Sequence, residues 1–305
     1  MTSEPPAVPT FSPPDASWEH RALYDNVIKA LYALPSYFQT DLRISGVLAT
    51  DLFTFNSSLG ATIEAQVVEA LNAIRGSWDP EQKYAAYSFV RQAQRFPDVI
   101  LRTAAAGTEP AILMGIELKG WYVLAKEREP SFRYRASPQV CAPADLLVVY
   151  PWALSSVISG SPQLYPPFVT GARYAAEYRN YWWQHVKEGG ARNALRLSTV
   201  DHYYPAKSEP ISDVAVHDDG GNFGRFARTG IMDEYRERLF REELSGIPLS
   251  AWQKFLSAFS EDKTEAQINR AIDQAIAEAA KTAKPVSEGA EAAKNLLSRV
   301  LALLE

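Results

Sequence analysis

Two acidic residues and one basic residue, Asp98, Glu117 and Lys119, stand at a spacing that brings them together on one pair of strands. FPDVILR (96–102) and AILMGIELKG (111–120) have the composition of strands, and the loop AAAGTEP joins them with turn residues at its centre. If this hairpin folds symmetrically about Gly107-Thr108, Asp98 faces Glu117, and directly opposed Cβ atoms lie about 4.5–5.5 Å apart. Lys119 is two residues beyond Glu117, so strand alternation turns it to the same face. A bulge or an asymmetric turn inside that register would separate the group. Two carboxylates sharing a point can hold a hard divalent cation through oxygen ligands, and an adjacent ammonium can orient water or stabilise developing negative charge. These are the requirements of metal-assisted phosphodiester hydrolysis, in which the metal acidifies water and polarises the phosphoryl oxygen.

The flanking elements set the frame. Trp18, Leu23, Val27, Leu31 and Leu34 recur at helical spacing until Pro35. A second helix follows Asn56-Ser57-Ser58, which supply cap chemistry, and Gly76 closes it; Ile63, Val67, Val68, Leu71 and Ile74 form its apolar face. ADLLVVYPW (144–152) is an apolar run of the kind buried on both faces of a sheet. ARYAAEYRNYWWQHVKE (172–188) is predicted as an aromatic-rich helix, MDEYRERLFREEL (232–244) as a charged helix, and 262–305 as Ala-rich helix broken near Pro285; 201–230 is predicted as extended loop. Strands enclosed by helices indicate an α/β fold, here a mixed β-sheet core flanked by helices with additional C-terminal helices.

Pro97-Asp98 followed by Glu117-Leu118-Lys119 resembles the PD-(D/E)xK motif of the nuclease superfamily that includes most type II restriction endonucleases. The resemblance covers roughly residues 58–152 and implies a restriction-endonuclease-like core, Mg²⁺ as cofactor, and Asp98, Glu117 and Lys119 as catalytic residues. Members of that family also place a glutamate on the helix before the hairpin. Glu64 matches: it lies about 50° from the centre of its helix's apolar face, whereas Glu69 lies about 170° away and should face solvent. The resemblance therefore adds Glu64 to the catalytic and metal-binding set.

Other features are weighed beside this one. Arg133 and Arg135 in SFRYRAS project from one face if that stretch is extended, and then suit phosphate contact; a solvated loop is the alternative reading of the same stretch. In DDGGNFGRFARTG (218–230) the paired glycines allow close approach to a ligand, and Asn222, Arg225 and Arg228 have donors of the kind used on base edges and phosphates. Asp145, at the head of ADLLVVYPW, is expected to satisfy backbone groups at a strand start. The aromatics of 172–188 are expected to pack rather than to touch DNA. The four histidines show no zinc spacing, no GxSxG or Walker-type loop occurs, and the acidic pair in 218–230 lacks EF-hand spacing. A single cysteine, Cys141, excludes an internal disulfide and a cysteine-rich zinc site.

The formal net charge of −5 does not favour a nucleic-acid partner, although basic residues can gather on one face of an acidic protein. The N-terminal stretch lacks the basic start and apolar run of a secretory signal, and no apolar run reaches the length of a membrane span, so a cytoplasmic location is expected. The expected organisation is a disordered or surface tail (1–16), a nuclease domain with DNA-contact loops (17–250), and a helical extension (251–305) for dimerisation or packing. The resemblance implies a type II site-specific endonuclease acting on double-stranded DNA. It also implies a homodimer matched to a palindromic site, and a possible cognate DNA methyltransferase in the same system. A structure-directed repair nuclease and a non-catalytic DNA-binding module with the same fold are the rival expectations.

Overall fold

A computed structural model describes residues 6–46, 56–104, 110–125, 127–188 and 194–258, with isolated positions between 264 and 277. The chain begins with helix α1 (Arg21–Ala33), α2 (Asn56–Ala73) and a single turn, α3 (Arg75–Trp78). Strands β1 (Tyr87–Arg91), β2 (Val99–Thr103) and β3 (Ile112–Tyr122) follow, then β4 (Leu146–Leu154), β5 (Pro162–Leu164) and β6 (Phe168–Gly171). Helix α4 (Ala172–Tyr181) runs into a wider turn at Trp182–Val186. Short strands β7 (Leu195–Arg196) and β8 (Val214–Ala215), helix α5 (Asp233–Leu239), strands β9 (Glu243–Leu244) and β10 (Ile247–Pro248), and helix α6 (Leu249–Ala258) complete the described chain.

The main sheet has six strands in the order β1-β2-β3-β4-β5, with β6 also paired to β4. β1, β2 and β3 are antiparallel neighbours, β3 and β4 run parallel, and β5 and β6 pair antiparallel with the two ends of β4. The molecule is therefore mixed α/β, as the pattern of elements predicts. β4 is buried along its whole length, which explains its unbroken apolar run. Tyr150 within it satisfies its hydroxyl on the Leu31 carbonyl at 2.9 Å and so ties α1 to the sheet. One continuous core takes in α1, α2, the sheet, α4 and α6, the last through Trp252, Phe255 and Leu256. Among the described residues no helix is long and apolar enough to cross a membrane.

Several expectations are corrected in detail. β1, β5 and β6 carry too few residues, interrupted by polar ones, for a periodic signal to emerge. The second helix ends at Ala73, short of Gly76, which lies within α3. The charged helix stops at Leu239 because Ser245 and Gly246, both at positive φ, fold 243–248 into a tight hairpin. On α4 the inward face is made by Ala172, Ala175, Ala176, Arg179 and Asn180, while Tyr174, Tyr178 and Tyr181 stay half-buried; of the segment's aromatics Trp183 packs as expected, buried against Phe223 with Trp182 beside it. The hairpin turn at 105–109, the side chains of Asn56, Ser57 and Ser58, and nearly all of 262–305 lie outside the described residues.

Candidate active site on the β2–β3 hairpin

The register of β2 and β3 places the acidic pair. Val99 pairs with Ile116, Ile100 with Gly115 and Leu101 with Met114; one step further out, Asp98 stands opposite Glu117. The register slips by one residue between Leu101 and Arg102, on the turn side, so the irregularity leaves the site end intact.

The three side chains meet. The Lys119 ammonium lies 2.7 Å from Glu117 Oε1 and 3.2 Å from Asp98 Oδ2. Asp98 Oδ2 also accepts the Leu118 amide at 3.0 Å, and Glu117 Oε2 accepts the Asp98 amide at 3.3 Å. Burial raises the Glu117 pKa, Lys119 opposes the rise and Asp98 adds to it. Burial works against charge on Lys119, but the carboxylates of Glu117 and Asp98 outweigh it and raise the lysine.

Glu64 on α2 is half-buried and Glu69 exposed, as the helical wheel predicts. The Glu64 carboxyl is pushed up to about 7, first by burial and then by the charge of Asp98, with Lys119 and Arg91 pulling the other way. Helix α2 can seat closely on β3 because two glycines meet: a Cβ on Gly120 would lie 3.3 Å from Gly60 Cα. Glu64 is one turn further along that helix.

Among the described residues no three acidic, imidazole or thiol side chains are gathered into a ready-made metal cage. A pair of carboxylates is nevertheless a suitable donor set for Mg²⁺, which commonly takes one or two protein carboxylates and fills its remaining positions with water and phosphate oxygens. Asp98 and Glu117 border one point, now held by the Lys119 ammonium. The carboxyls of Glu117 and Glu64 are raised first by burial, with the charge of Asp98 adding to the rise and Lys119 opposing it. The donor set fits the metal.

Support for Asp98 comes from behind the strand. Gly115 donates its amide to Asp145 Oδ1 at 2.6 Å, and Asp145 also accepts Ala142 N–H at 2.8 Å and the Tyr204 hydroxyl at 3.1 Å. Asp145 therefore satisfies backbone groups at the head of β4, as its position predicts. Burial pushes its carboxyl up to about 6 against these hydrogen bonds. A Cβ on Gly115 would fall 2.2 Å from Pro97 Cγ and 2.9 Å from Asp145 Oδ1. Gly115→Ala should therefore displace Pro97 and the adjoining Asp98. The expected stability loss is about 1–3 kcal/mol by overpacking. Thermal melts read the effect; a wild-type melting temperature in the variant would show that the contact between Gly115 and Pro97 is not tight.

Asp98 and Glu117 line a cleft of about 500 Å³ together with Gln94, Arg95, Arg133, Arg135 and Lys207. Residues 133–137 are extended: Tyr134 N–H donates to Gly224 at 2.7 Å, Ser137 N–H to Ile211 at 2.9 Å, and the Arg135 carbonyl accepts from Asp213 N–H at 3.0 Å. Arg133 and Arg135 consequently share one side and one cleft with the acidic pair. The strand is held from within by Arg179, 1% exposed, whose Nη1 donates to the carbonyls of Tyr134 at 2.8 Å and Ala136 at 3.0 Å. Its Nη2 meets Asp213 Oδ2 at 2.6 Å, and Asn180 donates to the same oxygen at 2.9 Å.

The 218–230 loop lies outside the lining of the cleft. Asn222 is bonded to Arg228 through Oδ1 and to the Asp219 carbonyl at 3.0 Å through Nδ2. Arg225 Nη1 lies 3.7 Å from Glu127, and none of Asn222, Arg225 and Arg228 lines the cleft. The glycines do permit a close approach, but to protein: a Cβ on Gly221 would lie 2.6 Å from Arg133 Nη2, and one on Gly224 would lie 2.8 Å from Arg135 Cγ. The loop is thus a backing for the two arginines. Sequence reasoning passed over Arg95, Lys207 and the Arg179–Asp213 pair; each sits in a separate segment, and no local spacing signals their convergence.

No protein-family model matches the chain, and no curated protein or solved structure matches it significantly.

Proposed function

We propose that this protein is a Mg²⁺-dependent endonuclease for double-stranded DNA, of the type II restriction class, acting in the cytoplasm as a homodimer. One observation carries this reading: the carboxylates of Asp98 and Glu117 share one ammonium, at 3.2 and 2.7 Å, in a cleft that also holds Arg133 and Arg135. Asp98 and Glu117 would hold the metal, with Glu64 close enough to add charge. A Mg²⁺ held there would supply Lewis-acid polarisation of the phosphodiester and a more acidic water. Lys119, kept protonated by its two carboxylate neighbours, stabilises negative charge on the reacting phosphate. Arg133 and Arg135 hold the backbone in register on either side, since phosphate contacts position while base contacts specify. Dimerisation is supported by class alone, through the match of a two-fold protein to a palindrome.

Incubation with plasmid DNA and Mg²⁺ should give discrete fragments, and EDTA should stop the reaction. Cutting confined to ends, flaps or damaged sites would replace the restriction reading with a repair nuclease. Binding without cutting under every divalent metal would remove the enzyme reading.

A further inference from the structure

The cleft contains more positive charge than the arginine pair. Arg95 enters it from the turn between β1 and β2, and Lys207 from the segment that precedes β8; both are exposed. With Arg133 and Arg135 they make four cations from three separate segments, in a chain whose acidic residues outnumber its basic ones by 36 to 31. Among the described residues none of the four forms an ion pair with a carboxylate, and Lys207 is bonded only to the neutral amide oxygen of Gln94. The third carboxylate in the cleft, Glu209, is turned into its own loop, where it accepts Ala206 N–H at 2.5 Å and meets His202 at 3.2 Å. Arg135 Nε is buried without a hydrogen-bond partner among the described residues. The fold has thus assembled cationic groups beside the acidic pair without using them to neutralise its own carboxylates, an arrangement that leaves them for an anionic ligand.

The geometry points to a phosphate-binding wall made of Arg95, Arg133, Arg135 and Lys207 that receives the sugar-phosphate backbone flanking the reacting phosphate. It deepens the nuclease reading and rests on it, with Arg95 and Lys207 as further positioning residues for the substrate. Long, separately anchored cations suit a repeated backbone charge better than a base edge, which calls for a fixed bidentate pair. The stretch that carries Arg133 and Arg135 is held by the buried Arg179, which fixes the carbonyls on both sides of Arg135. Because the wall meets phosphates and not base edges, it should act uniformly across DNA sequences.

Binding is measured with fluorescein-labelled random-sequence duplexes, in EDTA so that nothing is cut, from about 50 to 200 mM KCl. Arg95→Ala and Lys207→Ala should each lower the slope of log affinity against log salt by about 1 and weaken binding roughly tenfold at the lower salt. Lys29→Ala, remote on α1, should behave as wild type. Both target side chains are exposed, so melting temperatures should be unchanged and a folding failure is distinguishable. Wild-type slopes in Arg95→Ala and Lys207→Ala, with discrete plasmid cutting intact, would overturn the wall and leave the nuclease. Reduced slopes in a protein that never cuts would keep the wall and remove the nuclease.

Discussion

Lys119→Ala should lower the rate of plasmid cleavage by about 10²–10³-fold while leaving metal-free duplex binding near the wild-type value. The loss follows from removing a preorganised charge at the reacting centre, an effect of that size when one stabilising donor is deleted. Two causes act together. The developing negative charge loses its ammonium, and Asp98 and Glu117 lose the shared cation that lies 3.2 and 2.7 Å from them. Binding should survive because the arginines of the cleft stay in place. Single-turnover cleavage at saturating protein separates the chemical step from binding. Cleavage within tenfold of wild type would exclude Lys119 from the reaction and reduce it to a structural partner of the carboxylates.

Asp213→Ala should destabilise the fold by about 3–5 kcal/mol, the cost of leaving one member of a buried pair without its counter-charge. Arg179 is 1% exposed and Asp213 fully buried, so water cannot replace the lost partner. The damage should spread to the cleft, since Asp213 also holds the Ser198 amide at 3.0 Å and its own amide holds the Arg135 carbonyl. Replacing both residues together, Arg179→Met with Asp213→Leu, should cost less than Asp213→Ala alone, because no isolated charge is then buried. Urea unfolding measures both variants. If Asp213→Ala proves as stable as wild type, the pair does not hold this part of the molecule.

Much of the site was legible from the chain because it is built on short-range rules. Strand alternation suffices to bring Lys119 to the face of Glu117, whereas the facing of Asp98 and Glu117 also depends on the one-residue register shift between Leu101 and Arg102, which no sequence pattern announces. The helical period suffices to separate Glu64 from Glu69. β4 announced itself through an apolar run that only burial on both faces explains. Asp145 was legible for a similar reason, as a carboxylate placed at a strand head where amides need acceptors.

What the sequence could not determine was which distant segments meet. Alternation predicted that Arg133 and Arg135 share a side, but the cleft that receives them exists only because residues 211–213 and 224–225 bridge that strand on its two edges. The glycines of 218–230 looked like an approach to a ligand, and the packing assigned them instead to the backs of those arginines. Arg95 and Lys207 carry no pattern at all; they reach the same cavity from separate segments. Local periodicities are set by backbone geometry and can be read residue by residue, so the sequence alone located the strands that carry Asp98, Glu117 and Lys119. The long-range contacts depend on how buried surfaces and buried charges are satisfied across the whole core, and only the tertiary structure decided those.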